Sequence, residues 1–180
     1  MMDSQYISPN KSDFKDPSQL VEKKTPAKVR VKDLSVSQLE QRLLDLVNKD
    51  RTKSGASLLT QSPPLGKLAR QQADDMMRNK TFSHNNSAGL DVQQRAKQCG
   101  ITDGVYENIA DQSGPDPAAQ MVDEIEASFM AEPQSGVNHR YILLDREHTH
   151  VGIGIAKSKD HVIVVQDFTN HDPDADLENK

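Results

Sequence analysis

The chain has 180 residues, a formal net charge of −5 and a pI near 5.6. Its length suits one domain with a core, and its acidic balance argues against a nucleic-acid surface, which needs a positive field to gather phosphates. No apolar run approaches the roughly 18 to 20 residues that cross a bilayer, and the first residues lack the hydrophobic core of a signal peptide. We therefore expect no transmembrane segment, no nucleic-acid partner and no signal peptide in this sequence.

The two ends of the chain differ in composition from its middle. Only 34% of the residues are hydrophobic and 4% aromatic, which indicates that part of the length is not packed. Residues 1–34 mix Lys, Asp, Ser and Pro without any period and predict a disordered or extended arm, because they bury too little apolar area to offset the entropy of ordering. Residues 170–180 predict an acidic, polar tail. The domain is expected over residues 35–169.

Two helices are indicated first in the chain by apolar residues at helical spacing. The first begins where Ser37 and Glu40 have the spacing of a capping box. Its apolar face consists of Leu39, Leu43, Leu46 and Val47. The second follows two prolines, which a first helical turn tolerates, and its apolar stripe from Leu65 to Met76 ends just before His84.

Two further helices precede the last part of the domain. Residues 90–100 predict a short third helix that stops at Gly100. Residues 116–130 predict a fourth helix that opens with Asp116 and Pro117. Both stretches are flanked by turn-forming residues, so each is expected to be a separate element.

An antiparallel hairpin of buried strands is predicted over residues 151–158 and 161–168, which are apolar runs joined by a short polar link. Glycines alternate in the first run, VGIGIA, and this alternation indicates close packing rather than a phosphate cradle. Helices followed by a late hairpin predict an α+β fold in which helices cover a sheet. A nucleotide-binding loop, a nucleophile elbow and an EF-hand loop are absent from the sequence.

Four polar residues at the edges of these elements could carry chemistry: His84, Glu107, Glu132 and His139. Two imidazoles and two carboxylates suit a divalent-metal site, since neutral imidazole binds zinc and a carboxylate either ligates or orients a ring. The same four groups suit general acid/base work without a metal. Their spacing matches no short ligand motif, so a shared site and four separate hydrogen-bonded or solvated residues both stay open.

Three other residues, His148, His150 and Cys99, are also of types that can carry chemistry. His148 and His150 stand two apart at the start of a strand and could clamp an ion from one face. No third ligand is evident, so we favour two strand-end residues that pack against a helix. Cys99 has no partner for a disulfide and no CxxC motif, so we predict a small buried apolar residue at a helix end.

Five short motifs occur in a fixed order along the chain. They are FSH at residues 82–84, YENIA at 106–110, FMAEP at 129–133, NHRYILLDREHTHVGIGIA at 138–156 and VVQDF at 164–168. Together they resemble the CAP superfamily, which comprises cysteine-rich secretory, antigen five and pathogenesis-related proteins. The resemblance is strongest to bacterial single-domain members and runs from the first helix to about Phe168.

This resemblance implies a three-layer α-β-α sandwich with a central antiparallel sheet. It also implies that His84, Glu107, Glu132 and His139 line one central cleft, with His84 and His139 as ligands of a divalent metal, zinc first. Family members are mostly extracellular or at the cell envelope. The chain departs from the family in having Phe129 where a tryptophan is usual and in lacking disulfides, so helix packing on the sheet must supply its stability.

Three functions remain open on the sequence. The first is a non-enzymatic binding module for a divalent metal, a lipid or sterol, or a cell-envelope ligand. The second is a metal- or acid/base-assisted hydrolase in which Glu107 or Glu132 acts as general base. The third is a structural or interaction domain in which the four residues form a hydrogen-bonded network without a ligand.

Overall fold

The computed structural model describes residues 33–102 and 104–178, so the predicted N-terminal arm lies outside the described residues apart from its last two positions. The described residues form six helices and four strands. The helices are α1 Val36–Lys53, α2 Pro63–Asn79, α3 Val92–Gln98, α4 Ala118–Ala131, α5 His139–Leu144 and α6 Pro173–Glu178. The strands are β1 Thr60–Gln61, β2 Tyr106–Ser113, β3 His150–Lys157 and β4 His161–Thr169.

The capping box of α1 lies two residues before the predicted pair. Ser35 is the N-cap: its Oγ accepts the backbone N–H of Gln38 at 3.3 Å, and the Gln38 side chain accepts the Ser35 N–H at 3.0 Å. The prediction of Ser37 and Glu40 as the box is wrong. Glu40 falls on the buried face of α1, where its carboxylate accepts two hydrogen bonds from Arg70 of α2 at 2.8 and 2.9 Å.

The other three predicted helices are confirmed with small changes at their ends. Ser62 caps α2 before its two prolines, and α2 ends at Asn79 because Lys80 adopts a left-handed conformation with φ 54°. Gly100, with φ 83°, follows α3 as expected. Cys99 caps the end of α3 but is partly exposed, so the prediction of a buried residue is wrong.

Within the described residues, a four-stranded sheet with the order β1-β3-β4-β2 forms the middle layer of the domain. β3 and β4 form the predicted hairpin, and β2 pairs antiparallel with β4 along its whole length. The two-residue β1 is parallel to β3. β2 is not indicated by the sequence, because YENIADQS mixes polar and apolar residues. It becomes a strand through its pairing with β4.

Helices cover both faces of this sheet, which confirms the α-β-α sandwich. Val151, Ile153 and Ile155 of β3 face a cluster that includes α1 and α4. The alternate side chains of β3 and β4, Ala156 and Ile163 among them, face α2. Because neighbouring residues of a strand point to opposite faces, the two helical layers contact two different sets of strand residues.

The backbone of α2 packs directly against β3 at two glycines. A Cβ atom at Gly152 would overlap the backbone of Leu65, and one at Gly154 would overlap the backbone of Ala69. The glycine alternation in VGIGIA therefore serves close packing, as the sequence indicated.

A buried guanidinium joins α1 to the segment that leads into β3. Arg51 is fully buried and donates hydrogen bonds to four backbone carbonyls at 2.8 to 3.1 Å. The acceptors are those of Ser57, Leu143, Asp145 and His148. Desolvation lowers the pKa of Arg51, against a smaller opposing effect of the Asp145 charge.

The short helix α6 lies within residues 170–180, where the sequence indicated only a polar tail. Its length is six residues, too short to be stable in isolation. Across the described part of the chain, no helix is both long and apolar enough to cross a membrane.

We predict that Gly152→Ala lowers the free energy of unfolding by about 3 kcal/mol or more, because the added methyl group meets the α2 backbone, which cannot move without breaking its own packing. Urea denaturation measures this change. Gly114→Ala is the matched control, since a Cβ there has no heavy atom within 4 Å. Equal stability of the two variants would show that α2 does not pack on β3 in this way.

Candidate functional site

A cleft of about 530 Å³ lies along β2, one of the two edge strands of the described sheet. One wall is the loop after α2, which carries His84, and the other is the end of α4 and the start of α5, which carry Glu132 and His139. Its apolar surface comes from Phe82, Ile109, Ala110 and Phe129. The cleft therefore combines apolar surface with two imidazoles and the two carboxylates of Asp111 and Glu132.

The His84 wall is held by a buried carboxylate. Nδ1 of His84 lies 2.9 Å from Oε1 of Glu107, and the other oxygen of Glu107 accepts from Nη2 of Arg95 at 2.5 Å. Arg95 also donates to the His84 carbonyl at 3.3 Å, and Gln72 donates to the Ser83 carbonyl at 2.8 Å. These contacts fix the loop, so His84 is presented by a supported backbone.

The two side chains of this pair differ in their exposure to solvent. The His84 side chain is 56% exposed, whereas the Glu107 side chain is 1% exposed. A carboxylate only accepts hydrogen bonds, so Nδ1 of His84 carries the proton and Nε2 has a lone pair when the ring is neutral. The hydrogen bond to Glu107 raises the pKa of His84, against a smaller lowering by burial.

A second carboxyl group lies beside this pair in the interior. Asp167 of β4 is opposite Glu107 in the strand register and is fully buried. Burial raises its pKa well above the ordinary value, and the nearby charge of Glu107 raises it further while Arg95 lowers it. Glu107 thus has Arg95 and His84 as hydrogen-bonded partners and a second buried carboxyl group beside it.

The opposite wall is built at the junction of α4 and α5. Glu132 caps the end of α4, and its carboxylate accepts from Nδ1 of His139 at 2.6 Å and from the backbone N–H of Arg140 at 3.2 Å. Burial tends to raise the pKa of Glu132, but these hydrogen bonds and the charge of His139 together lower it. The ring of His139 also stacks on Phe129, with 4.4 Å between centroids.

A buried chain of amides and a carboxyl group supports this wall from beneath. Asn108 donates to the His139 carbonyl at 3.1 Å and to Gln166 at 3.2 Å, and Gln166 donates to Glu126 at 3.0 Å. Burial raises the pKa of Glu126 to about 8, against a smaller lowering by the Gln166 hydrogen bond. Glu126 is thus mostly neutral at pH 7.

Three of the four predicted site residues line one cleft, namely His84, Glu132 and His139. Glu107 lies behind His84 as its partner and is the second residue of β2 rather than a loop residue. The structure thus arranges the four residues as two separate imidazole–carboxylate pairs on facing walls.

His148 and His150 have separate partners. His148 is buried, donates from Nδ1 to the Ile142 carbonyl at 3.0 Å and packs against the rings of Tyr106 and Phe168. His150 lies 3.8 Å from Asp172. Among the described residues, no three His, Cys, Asp or Glu side chains are grouped so that they could hold one metal ion.

Two residues behind His84, Arg95 and Asp167, were not predicted as site residues from the sequence, although each leaves a signal there. Arg95 falls on the apolar stripe of α3 with Ala96, where a charged residue needs a buried partner. Asp167 interrupts the apolar run of β4. Neither signal indicates which residue is the partner, because Arg95 and Asp167 come close to Glu107 only in the folded chain.

The fold and the paired imidazole–carboxylate cleft define a class of α-β-α sandwich domains. The sequence profile of the CAP family, described as the cysteine-rich secretory protein family, matches residues 44–168, about two thirds of the chain. The chain belongs to this family.

Two curated relatives come from Bacillus subtilis strain 168. The chain is 30% identical over 117 residues to "Uncharacterized membrane protein YlbC", a match that covers 64% of this chain and 31% of YlbC. It is 29% identical over 125 residues to "Uncharacterized protein YkwD", covering 69% of this chain and 45% of YkwD. The chain therefore spans less than half the length of either relative.

Three solved structures share the fold. An extracellular SCP-domain protein from Bacillus anthracis matches with a TM-score of 0.58 and 23% identity, covering 75% of this chain and 41% of that one. An outer surface protein from Borrelia burgdorferi matches with a TM-score of 0.63 and 18% identity, covering 77% and 96%. NaASP2, crystallised with Zn²⁺, matches with a TM-score of 0.55 and 16% identity, covering 78% and 83%.

We predict that the free energy of unfolding falls as pH rises from about 4.5 to about 8, because folded Glu126 keeps a proton that the unfolded chain has released. One such group gives a slope of about 1.4 kcal/mol per pH unit. Urea denaturation at several pH values measures the slope. Glu126→Gln keeps an acceptor for Gln166 and should remove this contribution, leaving that of Asp167; an unchanged slope would contradict the assignment to Glu126.

Proposed function

We propose that this chain is a non-enzymatic binding domain whose cleft takes one small amphipathic ligand. Its apolar part packs against Phe82 and Phe129, and its polar head meets His84 on one wall and His139 on the other. The observation that carries this proposal is the pairing of each imidazole with a carboxylate at Nδ1, which orients both rings at the walls of one cleft.

The dimensions and lining of the cleft support this proposal. Its volume of about 530 Å³ lies in the usual range of small-molecule sites, which combine apolar walls with a few placed polar groups. Proteins of the CAP family bind small-molecule or lipid ligands. The similar structures include an extracellular protein and an outer surface protein, and we propose an extracellular or cell-envelope location for this chain as well.

A hydrolase is less well supported by the geometry. Glu107 is 1% exposed and held by Arg95 and His84, so it cannot reach a water molecule beside a substrate in the cleft. Glu132 is 27% exposed, but its two oxygens already accept hydrogen bonds from His139 and Arg140. A structural domain without a ligand accounts for the two buried networks but not for an open cleft between them.

A divalent metal, zinc first, is a second candidate ligand. Histidines that bind metals usually donate their other ring nitrogen to a carboxylate, as His84 and His139 do here. The similar protein NaASP2 was crystallised with Zn²⁺. Zinc centres use three or four protein ligands, so these two imidazoles fit only part of such a centre, and water or a bound ligand must complete it.

We expect dansyl-undecanoic acid, a fluorescent amphipath, to bind in the cleft with a blue shift of its emission. Ser128→Trp fills the cleft from the exposed side of α4 and should weaken binding about tenfold, or about 1.4 kcal/mol. Ala127→Trp is the matched control, since it adds the same side chain to the neighbouring exposed position outside the cleft. Equal affinity of both variants would place the probe elsewhere and refute the cleft as its site.

We expect calorimetry to detect one zinc ion per metal-stripped chain, bound more weakly than at a four-ligand centre. The heat should disappear in the His84→Ala, His139→Ala double variant and persist in His150→Ala. Affinity should fall between pH 7.5 and pH 6, because protons compete for the imidazoles and the pKa of His84 is raised. No heat of binding with the native protein, or heat that persists in the double variant, would exclude zinc binding by His84 and His139. The organic ligand would then remain as the candidate.

A further inference from the structure

The outer edge of β2 carries backbone groups that no described residue pairs. The N–H of Gly114 donates to the Asp160 carbonyl at 2.9 Å, which identifies the residues of β2 that are bonded to β4. Bonded positions alternate in an antiparallel ladder, so Gln112 directs its backbone groups toward β4, whereas Asp111 and Ser113 direct theirs away from it. No other described residue forms a hydrogen bond with these outward groups.

This outward edge is open at two residues. Glu107 and Ile109 also direct their backbone groups away from β4, but both residues are buried, whereas Asp111 and Ser113 are exposed. Asp111 lines the cleft and Ser113 does not, so the open stretch begins in the cleft and continues beyond it. We call residues 111–113 the free edge.

β2 lacks the features that usually protect an edge strand. Proteins discourage pairing at an exposed edge with lysine, with proline or with a bulge. β2 contains no lysine and no proline, and its register with β4 is continuous over all eight residues. The free edge is therefore a regular template for one further strand.

Two carboxylates flank the free edge, one on each face of the sheet. Asp111 shares the face of Ile109, toward α2, and Glu124 of α4 accepts a hydrogen bond from Gln112 on the other face. Among the described residues, neither carboxylate forms an ion pair with a lysine or an arginine; the partner of Asp111 is His161, at 3.3 Å. A strand with basic side chains therefore complements this edge.

The same charges argue against a second copy of this chain as the partner. Pairing one free edge with another by two-fold symmetry would bring identical carboxylates close together, and like charges destabilise cross-strand pairs. An apolar contact is available beside the free edge, because Phe82 is 52% exposed and lines the cleft together with Asp111. A partner strand thus needs basic side chains with apolar ones between them.

We propose that the free edge of β2 binds an extended, basic segment of another protein as an added strand. Asp111 and Ser113 each supply an N–H donor and a C=O acceptor for its main chain. The carboxylates of Asp111 and Glu124 attract its lysine or arginine side chains, and Phe82 contacts its apolar ones. This interaction surface goes beyond the small ligand of the cleft, because Ser113 lies outside the cleft lining.

Fluorescence anisotropy of a labelled heptapeptide, in which lysine and valine alternate, measures this binding to the full chain. Two isomers of the peptide carry N-methyl groups, one on its even residues and the other on its odd residues. Alternate residues of an added strand direct their N–H groups toward the edge, so one isomer should bind about tenfold more weakly and the other like the parent peptide. A peptide with glutamate in place of lysine should also bind about tenfold more weakly at low ionic strength.

Ser113→Pro and Ser113→Ala form a matched pair of variants. Proline removes the outward N–H, and an edge strand tolerates proline where its N–H does not bond to the neighbouring strand. Alanine keeps that N–H. Ser113→Pro should therefore weaken binding of the parent peptide about tenfold, whereas Ser113→Ala should bind it like the native chain. The N-methylated peptides test the proposal on the native chain if Ser113→Pro does not fold.

Four outcomes would overturn the proposal. An unchanged anisotropy of the parent peptide, or equal binding of the two N-methylated isomers, would exclude an added strand. Equal binding of the lysine and glutamate peptides would exclude a basic partner. A native dimer in analytical ultracentrifugation that Ser113→Pro separates into monomers would show that the edge pairs with a second copy. Dansyl-undecanoic acid needs none of these backbone groups, so the failure of the cleft ligand and the failure of the added strand are distinguishable.

Discussion

The close contact between α2 and the two glycines of β3 sets the geometry on which the cleft depends. Gly152 and Gly154 allow the backbone of α2 to pack directly against the sheet. This contact sets the position of α2, and so of its C-terminal end, relative to the sheet. The chain turns at Lys80 in a left-handed conformation and then passes the cleft with His84. A bulkier residue at either glycine would lift α2, and the loop that carries His84 would move with it.

Strand alternation then divides the support of the cleft into two parts. Glu107 and Asn108 are neighbours in β2 and point to opposite faces of the sheet. Glu107 accepts a hydrogen bond from Arg95 and lies opposite Asp167 on the α2 side. Asn108 donates a hydrogen bond to Gln166 on the α4 side. Each imidazole therefore rests on its own buried network, and substitution of one network leaves the other wall in place.

These networks place buried carboxyl groups in different surroundings. Burial raises the pKa of Glu126 to about 8 and raises that of Asp167 well above its ordinary value, whereas Glu107 is paired with Arg95 and Glu132 accepts from His139. A carboxylate oxygen thus lies at hydrogen-bond distance from Nδ1 of each cleft imidazole. Arg95 also lines a separate polar pocket between α2 and α3.

The sequence by itself determined α1 to α4, the β3–β4 hairpin and the close packing of its glycines. The spacing of apolar residues and the positions of prolines and glycines set these elements, because their effects on the backbone extend over only a few neighbouring residues. With the family resemblance it also indicated His84, Glu107, Glu132 and His139. Only the tertiary structure decided that β2 is a strand, that Glu107 is buried behind His84, and that Arg95 and Asp167 accompany it. These features depend on contacts between residues far apart in the chain, such as the register of β2 on β4. Local sequence patterns do not indicate which distant residues will be in contact.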